Sequence, residues 1–574
     1  MKLRKIYTSA GILLLSLFCI GDAVAKDAKF ETGVSFGSTG ADEPYSSLTD
    51  KDGNYYISGM CRGDVEFAGG ATIKGRGGMD AVIVKYDAEL NFLWARAVGG
   101  SKDDTFERIA VTSAGDIVAV GKISGDVTID GTDQTLSGTQ STDGCIVVYD
   151  KDGNYKSSAQ IKAAGASLCY SVAVDKSDNI FVTGSTVGAT DFGNEKTVTI
   201  EGSNPGTFLA CYNNSLVCQW AIAGSSPVQS YGWAVNFDKE ENILLTGRFG
   251  TTFTITGTDG EALTTAVGSE SSQDTYVAKL SHEGVGQWIT YVTNSNRIDT
   301  RSIDSDSQGN VYIWGHCQSA VTPEGQSPLG FNGNFDSFLI KYSSAGAYLD
   351  GMNLGGSGRD EAKSLFVDAD DNIYVAGNVN GDGSKGGTAV NMNPRGESKD
   401  YTFKGHDGYV AKYNGSTWEL MQLEKTVTPD NANQHEVAWC VTMSPDYNKV
   451  YVTGYFNNGA TVFDGASLTL PFVRDYDIYT VLYSYTLMVK TKTLEPGVAN
   501  EPYYSNIVVD NVEGAVKFEI VSGALPDGIT LSKDGAFAGT PTKNGSYTFT
   551  VKISDDVSSI QKEYTLVIKS GEGC

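Results

Sequence analysis

The chain is poor in the residues that most often carry chemistry. Its four histidines, His282, His316, His406 and His435, include no two at a metal-ligand spacing such as i, i+4 on a helix. The nine cysteines contain no Cys-x-x-Cys pair, which argues against a zinc site or a thioredoxin-like redox centre. No Gly-x-Ser-x-Gly elbow, phosphate loop or dinucleotide fingerprint is present. After residue 25 no segment has the roughly 20 uninterrupted apolar residues that span a bilayer. Basic patches are also missing: 43 Lys and Arg face 69 Asp and Glu, for a formal charge of −26. Such a surface repels phosphate backbones and anionic headgroups, so neither nucleic acid nor a membrane face is an expected partner.

What is there points first to export. Met1-Lys2-Leu3-Arg4-Lys5, an apolar run from Ala10 to Ile20, and Ala23-Val24-Ala25 ahead of Lys26 read as a signal peptide covering residues 1–25. Lipidation at Cys19 is the weaker alternative, because Ser16, Leu17 and Phe18 fit the usual Leu-small-small pattern poorly. Removing Lys2, Arg4, Lys5 and Asp22 would take the charge from −26 to −28. An extracytoplasmic location follows as the expectation: periplasmic, secreted or on the cell surface.

The 68 glycines, 30 tyrosines and 23 phenylalanines, without any long amphipathic helical pattern, favour β-structure with many turns. A phrase ending in glycine after an apolar strand recurs at Gly59, Gly121, Gly184, Gly247, Gly315, Gly377 and Gly454. In step with it, an aspartate stands six residues ahead of a closing aromatic or leucine, at Asp80, Asp143, Asp274, Asp336, Asp407 and Asp477; the third copy has Gly206 instead. Trp94, Trp220 and Trp288 follow the closing residue by eight. Each copy reads as four strands, here A to D, with the glycine phrase as B and the aspartate phrase as C. Aspartate nine residues before the glycine and asparagine five before it, as in Asp50 and Asn54, suit a tight A–B hairpin turn. Strands A, B and C are apolar on both faces and must be covered on both sides, which radial stacking of four-stranded blades achieves.

The phrases Gly53-Asn54-Tyr55-Tyr56-Ile57-Ser58-Gly59 and Asp407-Gly408-Tyr409-Val410-Ala411-Lys412-Tyr413 resemble the bacterial β-propeller repeats called SBBP repeats, over about residues 36 to 490. The resemblance implies fold and export more than activity, and it brings no catalytic residues. The expected architecture is all-β, a seven-bladed β-propeller over 30–492 followed by an immunoglobulin-like β-sandwich over 494–569 and a short tail, 570–574. The last copy lacks a clear strand D, so the segment from Phe30 is expected to supply it. In the second module, Leu525-Pro526-Asp527-Gly528-Ile529-Thr530-Leu531 and Gly539-Thr540-Pro541-Thr542 resemble the Ig- or cadherin-like modules of bacterial surface proteins.

No cofactor or metal is expected. Calcium is the alternative, but no Asp-x-Asn-Asp motif accompanies Asp555-Asp556, and loops such as Asp150-Lys151-Asp152-Gly153-Asn154 lack the later bidentate acid of a calcium loop. Cys211 and Cys218 flank a hairpin turn and are candidates for a disulfide. The strand-C aspartates sit too far from the ring axis to share one ion and are expected to accept backbone amides.

A ligand site is expected where strand A begins, at one mouth of the central channel. The residue fourteen before each glycine, or fifteen in the last copy, is Tyr45, Glu107, Tyr170, Trp233, Arg301, Lys363 and Trp439. Two positions on stand Ser47, Ile109, Val172, Val235, Ile303, Leu365 and Val441, mostly apolar, as blade packing requires. Aromatic faces beside a few charges suit a glycan or an extracellular protein; aromatics that merely plug the channel are the plainer reading. No catalytic residues stand out, so a binding, adhesion or scaffold protein is expected. A glycan-active lyase or hydrolase, with a carboxylate pair in the mouth, is the alternative.

Overall fold

The computed structural model describes residues 28–570 except 267–272, 381–387, 404, 428–434, 458–461, 464–469, 471–474, 486, 490, 492, 511, 513 and 556–558. The expected signal peptide over 1–25 with Cys19, most of the tail including Cys574, and Asp556 lie outside the described residues. No described helix is long and apolar enough to cross a membrane.

Among the described residues, the strand pairings of the repeat region form seven antiparallel four-stranded units. In the first, Glu43–Thr49 pairs Tyr55–Cys61, which pairs Asp80–Tyr86, which pairs Phe92–Gly100. The other A strands are Thr105–Val111, Ser167–Val174, Ser230–Phe237, Ile298–Ser305, Glu361–Val367 and Glu436–Met443. The last unit takes its fourth strand from the start of the chain: Lys29–Phe36 pairs Asp477–Ser484, as expected from the missing strand D. Seven hydrophobic clusters lie between neighbouring units, and one of them joins Tyr55, Ile57 and Val82 of the first to Tyr451, Ile478 and Leu482 of the last. Apolar residues on both faces of strands B and C are accounted for by this arrangement, since each face meets a different neighbour.

The acidic loops are hairpin turns. Oδ1 of Asp50 accepts the amides of Asp52 and Asn54, and Asn54 Nδ2 donates to Oδ2 at 2.8 Å. The same three bonds recur at Asp150, Asp175, Asp306 and Asp368. Asp80, Asp274 and Asp336, which open strand C, accept backbone amides from Arg76, Asn294 and Asn332. Outside this frame, strand D reaches past its own blade: Val98 to Gly100 pair with Val127 to Ile129 of the next unit, and Gly224 pairs with Ile255.

Two expectations need correction. Cys211 and Cys218 are free thiols. Register places Cys211 opposite Trp220 and Tyr212 opposite Cys218, with an irregularity between them. The two sulfurs therefore leave opposite faces of the sheet, Cys211 into the cluster shared with the fourth unit and Cys218 into the one shared with the second. The second module also begins before residue 494. Leu487 and Leu494 are buried in its core, and Met488–Val489 pairs with Val509–Asp510. That core also holds Tyr503, Phe537, Phe549 and Tyr564, between sheets that include Gly545–Ser554 with Ser559–Lys569 and Ile529–Leu531 with Ala536–Gly539.

Candidate functional site

Every A strand carries a β-bulge, and the bulged residue is the candidate site residue. Pairing with strand B skips from Pro44 to Ser46, Phe106 to Arg108, Cys169 to Ser171, Gly232 to Ala234, Thr300 to Ser302, Ala362 to Ser364 and Ala438 to Cys440. The residues passed over are Tyr45, Glu107, Tyr170, Trp233, Arg301, Lys363 and Trp439. A bulge turns one side chain out of the pleat, and here it does so seven times toward one axis. All seven line a single pocket of about 60 Å³ together with Arg108 and Ser364, and all are partly exposed.

The recurring glycine makes the bulge possible. A Cβ on Gly59, Gly121, Gly184, Gly247, Gly377 or Gly454 would overlap the carbonyl oxygen of Glu43, Thr105, Leu168, Tyr231, Glu361 or Val437 on the bulged strand. On Gly315 it would stand 2.7 Å from the Asp299 oxygen. The glycine is thus a close-approach residue, required because the strand beside it buckles toward it. The offset of fifteen in the last unit has a plain cause: its A–B turn closes from Ser444 to Lys449, one residue longer than the Asp50 to Asn54 turn.

Aromatic rings fill much of the mouth. Tyr170 and Trp233 lie 4.4 Å apart between centroids, and Tyr45 and Trp439 lie 5.6 Å apart. Tyr231 stacks on Trp233 at 5.7 Å, and Tyr455 approaches Trp439 at 6.0 Å. Cations cover ring faces: Lys363 Nζ stands 4.1 Å above Trp439, and the Arg301 guanidinium 5.2 Å above Trp233. Glu107 accepts from Thr105 Oγ1 at 2.7 Å, and burial pushes its carboxyl up. Burial likewise pushes Lys363 down and the Tyr170 hydroxyl up to about 12.

A second ring around the mouth escaped the sequence reading. It comes from the residue two before each bulge and its partner just after the glycine, among them Tyr231 with Arg248 and Asp299 with His316. For Asp299, burial raises the carboxyl, but the buried His316 and the guanidiniums of Arg301 and Arg297 outweigh it and hold the group well below the usual carboxylate range. Glu361 is held low in the same way by Lys363, His316 and Arg359. The strand register shared by all copies was the signal that could have found this ring.

Below the mouth lies a cavity of about 310 Å³, bordered by all seven positions expected to pack the blades. Those residues do both: Ile109, Val172, Val235, Ile303, Leu365 and Val441 also sit in the clusters between units. Arg108 and Ser364 line both spaces. The residue after the bulge is otherwise small: Ser46, Ser171, Ala234, Ser302, Ser364 and Cys440. Four of these serines tie one inner strand to the next, with Oγ of Ser46, Ser171 and Ser364 accepting the amides of Ile109, Val235 and Val441, and Ser302 donating to Leu365. Arg108 instead crosses the channel and donates to the Arg301 carbonyl at 3.4 Å, its Nε buried without an acceptor. A partly buried guanidinium whose Nε is left unmet costs free energy that a serine would recover through a bond to the next strand. Arg108→Ser is expected to join the two cavities and to stabilise the fold by about 1 kcal/mol in urea denaturation. A loss of stability would make Arg108 a structural strut.

Among the described residues, no group of three or more His, Cys, Asp or Glu side chains is placed to hold a metal ion.

Comparison with known proteins bears on the fold. Residues 158–193 match the SBBP family, described as a beta-propeller repeat, and residues 480–569 match the family described as Putative Ig domain. An uncharacterized WD repeat-containing protein of Acanthamoeba polyphaga mimivirus is 21% identical over 435 residues, which are 62% of this chain and 31% of that protein; the chain spans under a third of that relative's length. Among solved structures, the Dos1 propeller aligns with 80% of this chain and 95% of its own at 9% identity and a TM-score of 0.35. A SusE-like surface-located polysaccharide-binding protein from the Bacteroides thetaiotaomicron heparin utilisation locus aligns with 44% of each chain at 11% identity and a TM-score of 0.11. The chain is an all-β protein built as a propeller with an SBBP repeat, followed by a C-terminal Ig-like domain.

Proposed function

We propose that this is an exported binding or adhesion protein whose propeller offers a ligand site at one channel mouth, taking a glycan or an extracellular protein. The Ig-like module spaces that site from a surface or partner, and the protein works without cofactor or catalysis of its own. One observation carries the reading. Seven bulges, each made possible by its own glycine, turn four aromatics, two cations and one carboxylate into a single pocket. Mere channel filling needs no such mixture, since apolar residues would suffice. A buried indole N–H at Trp233 with no acceptor among the described residues also favours an arriving oxygen.

The test is a glycan and protein array run alongside an assay for released product. Trp233→Ala with Trp439→Ala should weaken binding of the ligand found by about 100-fold, as loss of two aromatic anchors does. The melting temperature should fall only modestly, because both side chains are partly exposed. Unchanged affinity would refute the mouth as the site, and turnover of the ligand would replace the binding reading with a glycan-active enzyme.

A further inference from the structure

The mouth is charged against the grain of the protein. Across units four to six, five cations, Arg248, Arg297, Arg301, Arg359 and Lys363, share two carboxylates. Asp299 lies 3.3 Å from Arg248, 2.6 Å from Arg297 and 4.0 Å from Arg301; Glu361 lies 2.6 Å from Arg359 and 2.8 Å from Lys363. His316 lies 3.6 Å from Asp299, and burial pushes its imidazole down. The chain as a whole carries −26. With Arg108 the mouth holds six cations against Asp299, Glu361, Glu107 and Glu43, and this cationic excess on so acidic a protein focuses an incoming anion there.

Hydrogen bonding points the same way. Nε of Arg248, Arg297 and Arg301 and Nε1 of Trp233 are all buried donors without an acceptor among the described residues. The Arg248 guanidinium stands 4.8 Å above Tyr231 and 5.7 Å above Trp233, so it is held in place by rings and partly stripped of water. A planar oxyanion meets such forks with paired charge-assisted bonds.

Resting on the proposed binding site, we infer that its ligand is an acidic saccharide, with a carboxylate or sulfate set among Arg248, Arg301 and Lys363 and a sugar ring against the aromatics. Tyr45, Trp439 and Tyr455, all partly exposed, form a ring surface beside the cations. An acidic peptide would use the cations and leave that surface empty, whereas a charged pyranose uses both.

Calorimetric titration of the full chain separates these cases with four probes: a galacturonate trisaccharide, a sulfated disaccharide, a neutral cellotriose and a glutamate-rich peptide. At least one acidic sugar should bind, about 100-fold more tightly than cellotriose, and its affinity should fall steeply with salt. Arg301→Gln should weaken it about 10-fold or more, and Lys363→Gln is the second variant should the first fail to fold. Preference for cellotriose, lost in Trp439→Ala, overturns the acidic ligand and leaves the mouth as the site. Binding of the peptide alone overturns the saccharide. Acidic sugar binding untouched by Arg301→Gln, Lys363→Gln and Trp439→Ala places the ligand elsewhere and overturns both readings, and no binding of any probe overturns the inference.

Discussion

Replacing Gly247 with alanine is expected to cost the propeller about 3 kcal/mol, read as a lowered urea midpoint. The new methyl would overlap the Tyr231 carbonyl oxygen and lie 2.7 Å from Tyr276 Oη, which itself donates to that carbonyl at 3.2 Å. Neither neighbour can step aside: the carbonyl belongs to the bulged inner strand, and the Tyr276 ring is fully buried against Phe253 at 4.0 Å. Relief would require flattening the bulge, and with it the presentation of Trp233. Stability and any ligand affinity should therefore fall together. Gly330→Ala is the control, since a Cβ there meets nothing within 4 Å, and it should stay within about 0.5 kcal/mol of the parent. Equal effects at both positions would mean that the glycine phrase reflects only strand ends and not the bulge.

That glycine illustrates what could be read from the chain and what could not. Its recurrence fixed the repeat, and counting back from it found Tyr45, Glu107, Tyr170, Trp233, Arg301, Lys363 and Trp439 without knowledge of the bulge, because every copy buckles at the same place. The turn aspartates were equally legible, since their bonds are local. Contacts between copies were not. Trp94 and Trp288 recur visibly, yet their indoles donate to the Lys151 and Ser344 carbonyls of the following unit's turn, a pairing set by how blades stack. Nothing local singles out Arg108; only the closed ring brings it to the Arg301 carbonyl three units away. The Cys211 and Cys218 expectation failed for a local reason, as a single bulge between Cys211 and Tyr212 decides which face each thiol occupies. The second module's start was misplaced because Leu487 continues an apolar run from the last propeller strand, and hydrophobicity alone does not say which core receives it.

Shortening the chain to begin at Gly37 is expected to be the most damaging change. It removes the strand Lys29–Phe36, which pairs Asp477–Ser484 along seven residue pairs and supplies the last unit's outer edge. Phe36 is buried among Val65, Phe67 and Ile478, and Phe30 packs edge-on against Tyr483 at 6.1 Å. Ala28, just ahead, exchanges both backbone bonds with the Gln422 side chain of the sixth unit, at 3.0 and 2.9 Å. Two phenylalanines and a strand ladder together are worth on the order of 5 kcal/mol, comparable with the whole stability of many domains. The loss does not stay local. Tyr55 of the first unit stacks on Tyr451 of the last at 4.5 Å and bonds Thr453, and that junction relies on the last blade keeping its shape. An unpaired Asp477–Ser484 edge, apolar on both faces, is also a template for other chains. The shortened protein should therefore aggregate or melt at a much lower temperature, and a synthetic peptide spanning residues 26 to 38 should restore monomer and melting temperature when added in excess. Phe36→Ala in the full chain should cost about 3 kcal/mol without aggregation. A shortened protein that stays monomeric and melts where the parent does would show that the ring holds without its closing strand.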